Sequence, residues 1–175
     1  MKMIDGLLTE LEQEAETTRR VLERIPQAHL SWKPHPKSMS LGQLALHVAT
    51  VPGSVAELAA LDTIPEPPSF VQPEAASAAE LVPTLAESVA RARRALGGFD
   101  DARMGEMWRL QSGGQEILAM PRAAVVRTIM LNHWYHHRGQ LSVYLRQVGA
   151  LVPSIYGPSA DENPFAMAQR QAAAV

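Results

Sequence analysis

The stretch Asn132-His133-Trp134-Tyr135-His136-His137-Arg138-Gly139-Gln140 places two histidines, His133 and His137, four residues apart. On a helix that spacing stacks them on one face with Cβ atoms about 5–6 Å apart, a gap two imidazoles close around one ion at about 2.0–2.1 Å per bond. A packed or solvated histidine pair has the same spacing, so the flanking residues carry the argument. Pro121 suits the first turn of a helix and Gly149 the position just past its end, with a long apolar run between them. At about 100° per residue, Val126, Ile129, Met130, Gln140, Leu141 and Tyr144 share the arc of the two histidines. The pair is therefore expected to point inward. Polar rings buried without partners are destabilising by roughly a few kcal/mol, so something inside the fold must meet them.

The partner is sought on a second helix. Ser40 followed by Gln43 has the form of a capping box, which starts a helix expected to run to about Leu61, with a bend at Pro52. Leu44, His47, Val51, Ser54 and Leu58 fall on one of its faces. His47 is the available partner; a core histidine bonded to a carbonyl is the other reading of the same residue. Three inward histidines on two helices supply three nitrogen ligands and leave a fourth position open, as in catalytic rather than structural metal sites. His136 lies about 60° from His133 on the helix, which suits a pocket or supporting role beside the ligands, or ordinary packing. Gln140 and Tyr144 either orient a ligand or substrate or pack with satisfied polar tips. Gly139 costs its helix about 1 kcal/mol relative to alanine, which suggests a close helix crossing there. His29 and His35 belong to a loop and face water.

Two further helices complete the pattern. The apolar residues from Ile4 to Ile25 recur at helical spacing until Pro26, and Pro26 to Ser40 reads as a loop. Thr63 to Ala76 holds Pro65, Pro67, Pro68 and Pro73 and reads as a long surface crossing. Ser77 and Glu80 repeat the capping-box spacing ahead of a helix marked by Leu81, Leu85, Val89 and Leu96 and stopped by Gly97-Gly98. Between Phe99 and Met120, Ser112-Gly113-Gly114 divides two apolar segments, a short hairpin or a plain loop between helices three and four. The tail from Ala150, rich in proline, is expected to wrap the helices, with Gln169–Val175 frayed. The fold class is all-α, one domain over residues 1–175, built on four main helices.

Bulk properties exclude several functions. A formal net charge of -2 over 175 residues offers no footprint for a phosphate backbone, and the basic run Arg91–Arg94 reads as a solvated helix face. The chain has no cysteine, which rules out disulfides, iron-sulfur clusters and a thiolate nucleophile of its own. Met1 to Glu10 carries charges where a secretory signal would be apolar, and no run of about 18 apolar residues spans a membrane. The cytoplasm is the expected location, with no nucleic acid and no membrane as partner.

Trp32 and Pro34, then Ser40 to His47, then His133 to Gln140, and finally Ile155-Tyr156-Gly157-Pro158-Ser159 resemble, in order, the recurring pattern of the DinB-like (YfiT-like) superfamily of metalloenzymes. The resemblance implies an up-down-down-up four-helix bundle with a long crossover. It also implies one divalent metal, zinc or nickel, on His47, His133 and His137, and a homodimer. Characterised relatives transfer low-molecular-weight thiols or isomerise substrates with a thiol cofactor. The implied function is a thiol S-transferase joining bacillithiol, mycothiol, glutathione or a similar thiol to a small electrophile. The alternatives are a metal-dependent hydrolase and a non-catalytic metal- or ligand-binding bundle. The hydrolase lacks the glutamate of an H-E-x-x-H motif and would need Asp161 or Glu162 as base. Since imidazoles ligate when neutral, metal affinity is expected to fall as pH drops through about 6.5.

Overall fold

The computed structural model describes residues 2–68 and 71–166. In chain order it holds α1 (Met3–Leu22), α2 (Leu41–Ala60), β1 (Thr63–Ile64), α3 (Leu81–Leu96), a short α4 (Asp101–Gly105), β2 (Met107–Ser112) and β3 (Gln115–Pro121). A last long rod follows, made of α5 (Arg122–Ala124), a π-helical stretch (Val125–Asn132) and α6 (His133–Gln147). Ala124, Val125, Asn132 and His133 at its junctions all have right-handed helical backbone angles, so the three segments run on without a break. Among the described residues no helix is long and apolar enough to cross a membrane.

The start of α2 forms as the sequence implies. The Ser40 hydroxyl accepts the Gln43 N–H at 3.1 Å, and the Gln43 side chain accepts the Ser40 N–H at 2.8 Å. The second capping box does not form. Ser77 makes no side-chain cap, Glu80 accepts from the Ala76 N–H at 2.9 Å instead, and a single 3-10 turn leads into α3. Ser and Glu at the right spacing are not sufficient where the backbone enters the helix through a tighter turn.

Pro52 lies inside α2, where it removes the N–H that would bond the carbonyl of Val48. Beside it, the Ser88 hydroxyl of α3 donates to the Thr50 carbonyl at 3.0 Å and accepts the Gly53 N–H at 2.8 Å. A Cβ on Gly53 would lie 2.8 Å from the Ser88 carbonyl oxygen, so α2 and α3 cross closely there. Gly139, the glycine expected to mark such a crossing, faces open space.

The all-α expectation is corrected by a small sheet. Trp108 and Leu110 turn inward on β2 while Met107 and Arg109 stay exposed, the period-two alternation of a strand with one covered face. β2 and β3 pair antiparallel from Met107↔Pro121 to Ser112↔Gln115, through a turn in which Gly113 and Gly114 take φ of +57° and +77°. Two successive positive φ values suit the primed hairpin turns that glycine favours. Of the two readings left open for this segment, the hairpin is therefore the one that forms. β1 pairs in parallel with β2 through Thr63↔Arg109 and Ile64↔Leu110. Two residues at the start of a proline-rich crossing are too few to show a strand period, which is why the sequence does not reveal them.

Two buried side chains fasten this sheet to α2. The Trp108 Nε1 donates to the Leu58 carbonyl at 3.0 Å, and the fully buried Arg122 donates to the Ala59 and Leu61 carbonyls and to Asp62 Oδ1 at 2.8 Å. Both reach carbonyls at the end of α2, where the Leu58 carbonyl also accepts the Leu61 N–H at 3.2 Å. At the other end of the rod, Gly149 takes φ +75° and the Ala150 N–H reaches the Leu145 carbonyl at 3.0 Å, while the Gly149 N–H reaches Arg146 at 3.2 Å. This is the paired-bond helix stop that the sequence expects of this glycine. The following tail crosses α1 and α6, where the Tyr156 hydroxyl donates to Glu14 Oε2 at 2.9 Å. The expectation for 169–175 lies outside the described residues.

Candidate metal centre

Along the last rod, buried Val126, Met130, Trp134 and Arg138 follow one another at intervals of four. His133 and His137 belong to the adjacent row, with Ile129, and each is half-buried. The sequence reading put the histidines in the inward arc with Gln140 and Tyr144. In the structure the inward residues of α6 are Trp134, Arg138, Leu141 and Leu145. The difference comes from the π-helical stretch, in which each N–H reaches back five residues rather than four. Its turns hold more than 3.6 residues, so a projection at 100° per residue misplaces the faces on either side of it. On α2 likewise, His47 is half-buried and Ser54 exposed, beside the buried row of Leu44, Ala45, Val48 and Ala49. The histidines stand at the edge of the core, within reach of solvent.

The Trp134 Nε1 donates to the Val48 carbonyl at 2.8 Å, and this sets one helix against the other. Val48 follows His47 and Trp134 follows His133 in the chain. The Nε2 atoms of His47 and His133 stand 2.9 Å apart. Ring centroids are 5.2 Å apart for His47–His133, 4.6 Å for His47–His137 and 4.5 Å for His133–His137. One nitrogen from each ring lies within 4.8 Å of the others, a group able to hold a metal ion. Around a tetrahedral ion with bonds of about 2.1 Å, ligand nitrogens stand about 3.4 Å apart. The observed spacing brackets that figure, and three neutral imidazole nitrogens suit a divalent transition-metal ion.

The surroundings keep the rings neutral. Burial pushes His47 down to about 4 from 6.5, with His137 and His133 adding to the effect. Burial likewise lowers His133 and His137, with neighbouring histidines reinforcing it, while Gln140 opposes it at His137. All three are therefore unprotonated at neutral pH, the form that ligates. The exposed Gln140 stands with its Oε1 at 2.8 Å from His137 Nδ1. A carbonyl oxygen only accepts, so Nδ1 carries the proton and the Nε2 lone pair is left for a ligand.

Gln72, a residue sequence reasoning missed, lies beside His47 and opposes the lowering of its pKa. Its carbonyl accepts the Gln43 Nε2 at 2.9 Å, so the helix-capping residue also holds the crossing segment over the site. Nothing in the spacing of a proline-rich loop points to it. Arg138 was also missed. Fully buried beside His137, it donates to Thr18 Oγ1 at 3.0 Å, pairs with Glu14 at 2.6 Å and lies over the rings of Tyr135 and Tyr156. Its signal was an arginine four residues after Trp134, on a row otherwise apolar.

The remaining sequence candidates divide. His136 is exposed with its ring 5.0 Å from that of His137, outside the three-nitrogen group. Tyr144 packs edge-on against Trp32 at 5.6 Å, and its hydroxyl donates to the Met39 carbonyl at 3.5 Å, which braces the loop ahead of α2. Asp161 accepts from Arg146 at 2.6 Å and the Val152 N–H at 2.8 Å, and Glu162 pairs with Arg20 and accepts from the Ser154 N–H at 3.2 Å. Both carboxylates pin the tail. His29 and His35 are exposed, as expected.

Comparison with known proteins agrees with this architecture. The chain is 28% identical over 167 residues to the uncharacterised protein YrdA of Bacillus subtilis, covering 91% of each chain. A DinB-like protein from Bacillus cereus superposes with a TM-score of 0.67 at 26% identity, over 87% of this chain and 97% of that one. A mycothiol-dependent maleylpyruvate isomerase shares the fold at a TM-score of 0.51 and 18% identity, over 85% of this chain and 62% of that one. The DinB family model matches residues 2–170, and the chain belongs to the DinB family.

Proposed function

We propose that this protein is a metal-dependent thiol S-transferase in which His47, His133 and His137 hold one divalent ion, zinc or nickel, and a low-molecular-weight thiol is joined to a small electrophile. The observation that carries the reading is the convergence of three neutral, half-buried imidazoles from two helices on one point. A bound divalent ion keeps a coordinated thiol deprotonated near neutral pH. The chain has no cysteine, so the sulfur comes with the co-substrate. In the transfer, sulfur forms a bond to the electrophilic carbon, the leaving group departs with its electron pair, and the thiol proton passes to solvent. The chain's own residues prepare this step. Gln140 fixes the His137 tautomer, and the Trp134 bond to Val48 keeps the two helices in register.

The mycothiol-dependent isomerase, similar in fold, supports a thiol co-substrate for this architecture. The same reading carries an up-down-down-up arrangement of the main helices and a homodimer. A hydrolase would need a free general base, and Asp161 and Glu162 are both held in ion pairs.

Cobalt-substituted protein titrated with bacillithiol, mycothiol or glutathione should change its visible spectrum, and conjugation of monochlorobimane should turn over. His133→Ala should lose stoichiometric metal while keeping its helicity. Full metal retention in that variant would refute the ligand assignment. Ester or amide cleavage without thiol would favour the hydrolase, and silence in every assay would leave a binding module.

A further inference from the structure

Val125, Ile129 and His133 follow one another at intervals of four along the π-helical stretch and into α6. With more than 3.6 residues per turn, residues four apart in that stretch lie nearly one above the other. Val125 and Ile129 line a cavity of about 160 Å³ with Val55 and Leu58 of α2, Trp108 of β2 and Leu118 of β3. The row that carries His133 at one end thus runs into this cavity at the other. Ile129 is separated from His133 by one turn, about 6 Å or less along the axis.

The walls are hydrocarbon. The one polar atom of the Trp108 side chain, Nε1, already donates to the Leu58 carbonyl at 3.0 Å. A charged or strongly polar group placed there would lose its hydration without gaining a partner. An apolar cavity of about 150 Å³ is known to stay dry and to accept benzene, which makes this one the size of a single ring. Leu118, 36% exposed on the hairpin, borders the cavity at the protein surface.

We infer that this cavity binds the apolar body of the substrate, an uncharged group of about single-ring size, while the reactive end of the same molecule lies at the three histidines. The second half rests on the metal-dependent reading above; the affinity of the cavity for an apolar ring does not.

The test follows the Trp108 indole N–H signal of the ¹⁵N-labelled protein during titration with toluene, and with benzoate as the charged equivalent. Toluene should shift the signal saturably, and benzoate should bind at least tenfold more weakly. Ile129→Phe, whose ring fills the cavity, should abolish the toluene shift; if that variant fails to fold, Leu118→Phe on the exposed strand provides the same readout. His133→Ala should bind toluene as the unaltered protein does. On cobalt-substituted protein, phenethyl mercaptan should bind at least tenfold more tightly than ethyl mercaptan, and the filled-cavity variant should lose that advantage. An unmoved Trp108 signal, equal binding of benzoate, or toluene binding that survives filling the cavity overturns the inference. Toluene binding without any mercaptan effect on cobalt keeps the apolar site and refutes its link to the histidines. Toluene and phenethyl mercaptan binding without conjugation refutes only the transferase.

Discussion

The indole N–H of Trp134 donates to the backbone carbonyl of Val48, the acceptor that Pro52 leaves without a helical donor. A defect in one helix thereby becomes the docking point for another, one residue away from His47 on one side and from His133 on the other. Trp134→Phe removes the donor and leaves a buried carbonyl unpaired, at a stability cost of about 1–3 kcal/mol. In a protein of this size the melting temperature should fall by about 2–4 °C for each kcal/mol lost. Zinc affinity should weaken too, because the helix register that brings His133 to His47 loosens. Thermal denaturation of the metal-free variant and a zinc titration check both. An unchanged zinc affinity would mean that the ring positions are set elsewhere.

The crossing of α2 and α3 gives a contrasting case. At Gly53 an added Cβ meets backbone and hydroxyl atoms of Ser88, the carbonyl oxygen at 2.8 Å and Oγ at 3.1 Å. Gly53→Ala should therefore destabilise by about 1–3 kcal/mol through overpacking, against the gain alanine normally brings to a helix. Metal stoichiometry should stay at that of the unaltered protein, since α3 supplies no ligand. Gly139→Ala, facing open space, should stabilise by up to about 1 kcal/mol. Urea unfolding of the two variants tests the pair, and opposite signs are expected.

Those two glycines also show where sequence reading stops. Helix boundaries were legible where a local rule is enough: Ser40 with Gln43 starts α2, and Gly149 ends α6. The grouping of the three histidines was legible from the spacing of four and from His47 on a second helix, although the inward arc assigned to them was not the one the structure shows. What was not legible depended on contacts between distant segments. Gly139 looked like a crossing and Gly53 did not, since only the packed helices decide which glycine meets a neighbour. β1 is two residues long and exists because β2 offers it an edge. The π-helical stretch shifts the inward face of α6, and no period in the sequence announces it. Gln72 comes beside His47 from a loop that Gln43 holds through the Gln72 carbonyl.

The pH dependence follows from burial of the imidazoles. His47 titrates at about 4 and the other two lie below their ordinary value, so the folded state resists protonation. Above pH 6.5 neither the folded nor the unfolded chain takes up these protons, and stability is at its full value. As pH falls below 6.5 the unfolded chain binds protons first, so stability of the metal-free protein declines, and for His47 it levels off near pH 4. For metal affinity, the lowered imidazole pKa values move the expected pH range below that of free histidine. Protons compete once the folded imidazoles titrate, so the drop in affinity should come at lower pH than for unburied histidines. Zinc titrations between pH 7.5 and 4 at constant ionic strength measure it. A decline already under way at pH 7 would show that the rings are not desolvated as described.

Gln140 separates the work of a supporting residue from that of a ligand. Its Oε1 fixes the His137 Nδ1 proton at 2.8 Å, yet the side chain is exposed and holds no part of the core. Gln140→Leu should lower zinc affinity by about 10–100-fold, the usual effect of losing the outer partner of a metal-bound imidazole. Stability of the metal-free protein should change by no more than about 0.5 kcal/mol, as for most surface substitutions. Gln140→Glu keeps an acceptor at the same reach and makes it stronger, so it should restore or raise affinity. An equal loss in both variants would show that the amide N–H₂, rather than the oxygen facing Nδ1, is what the centre uses.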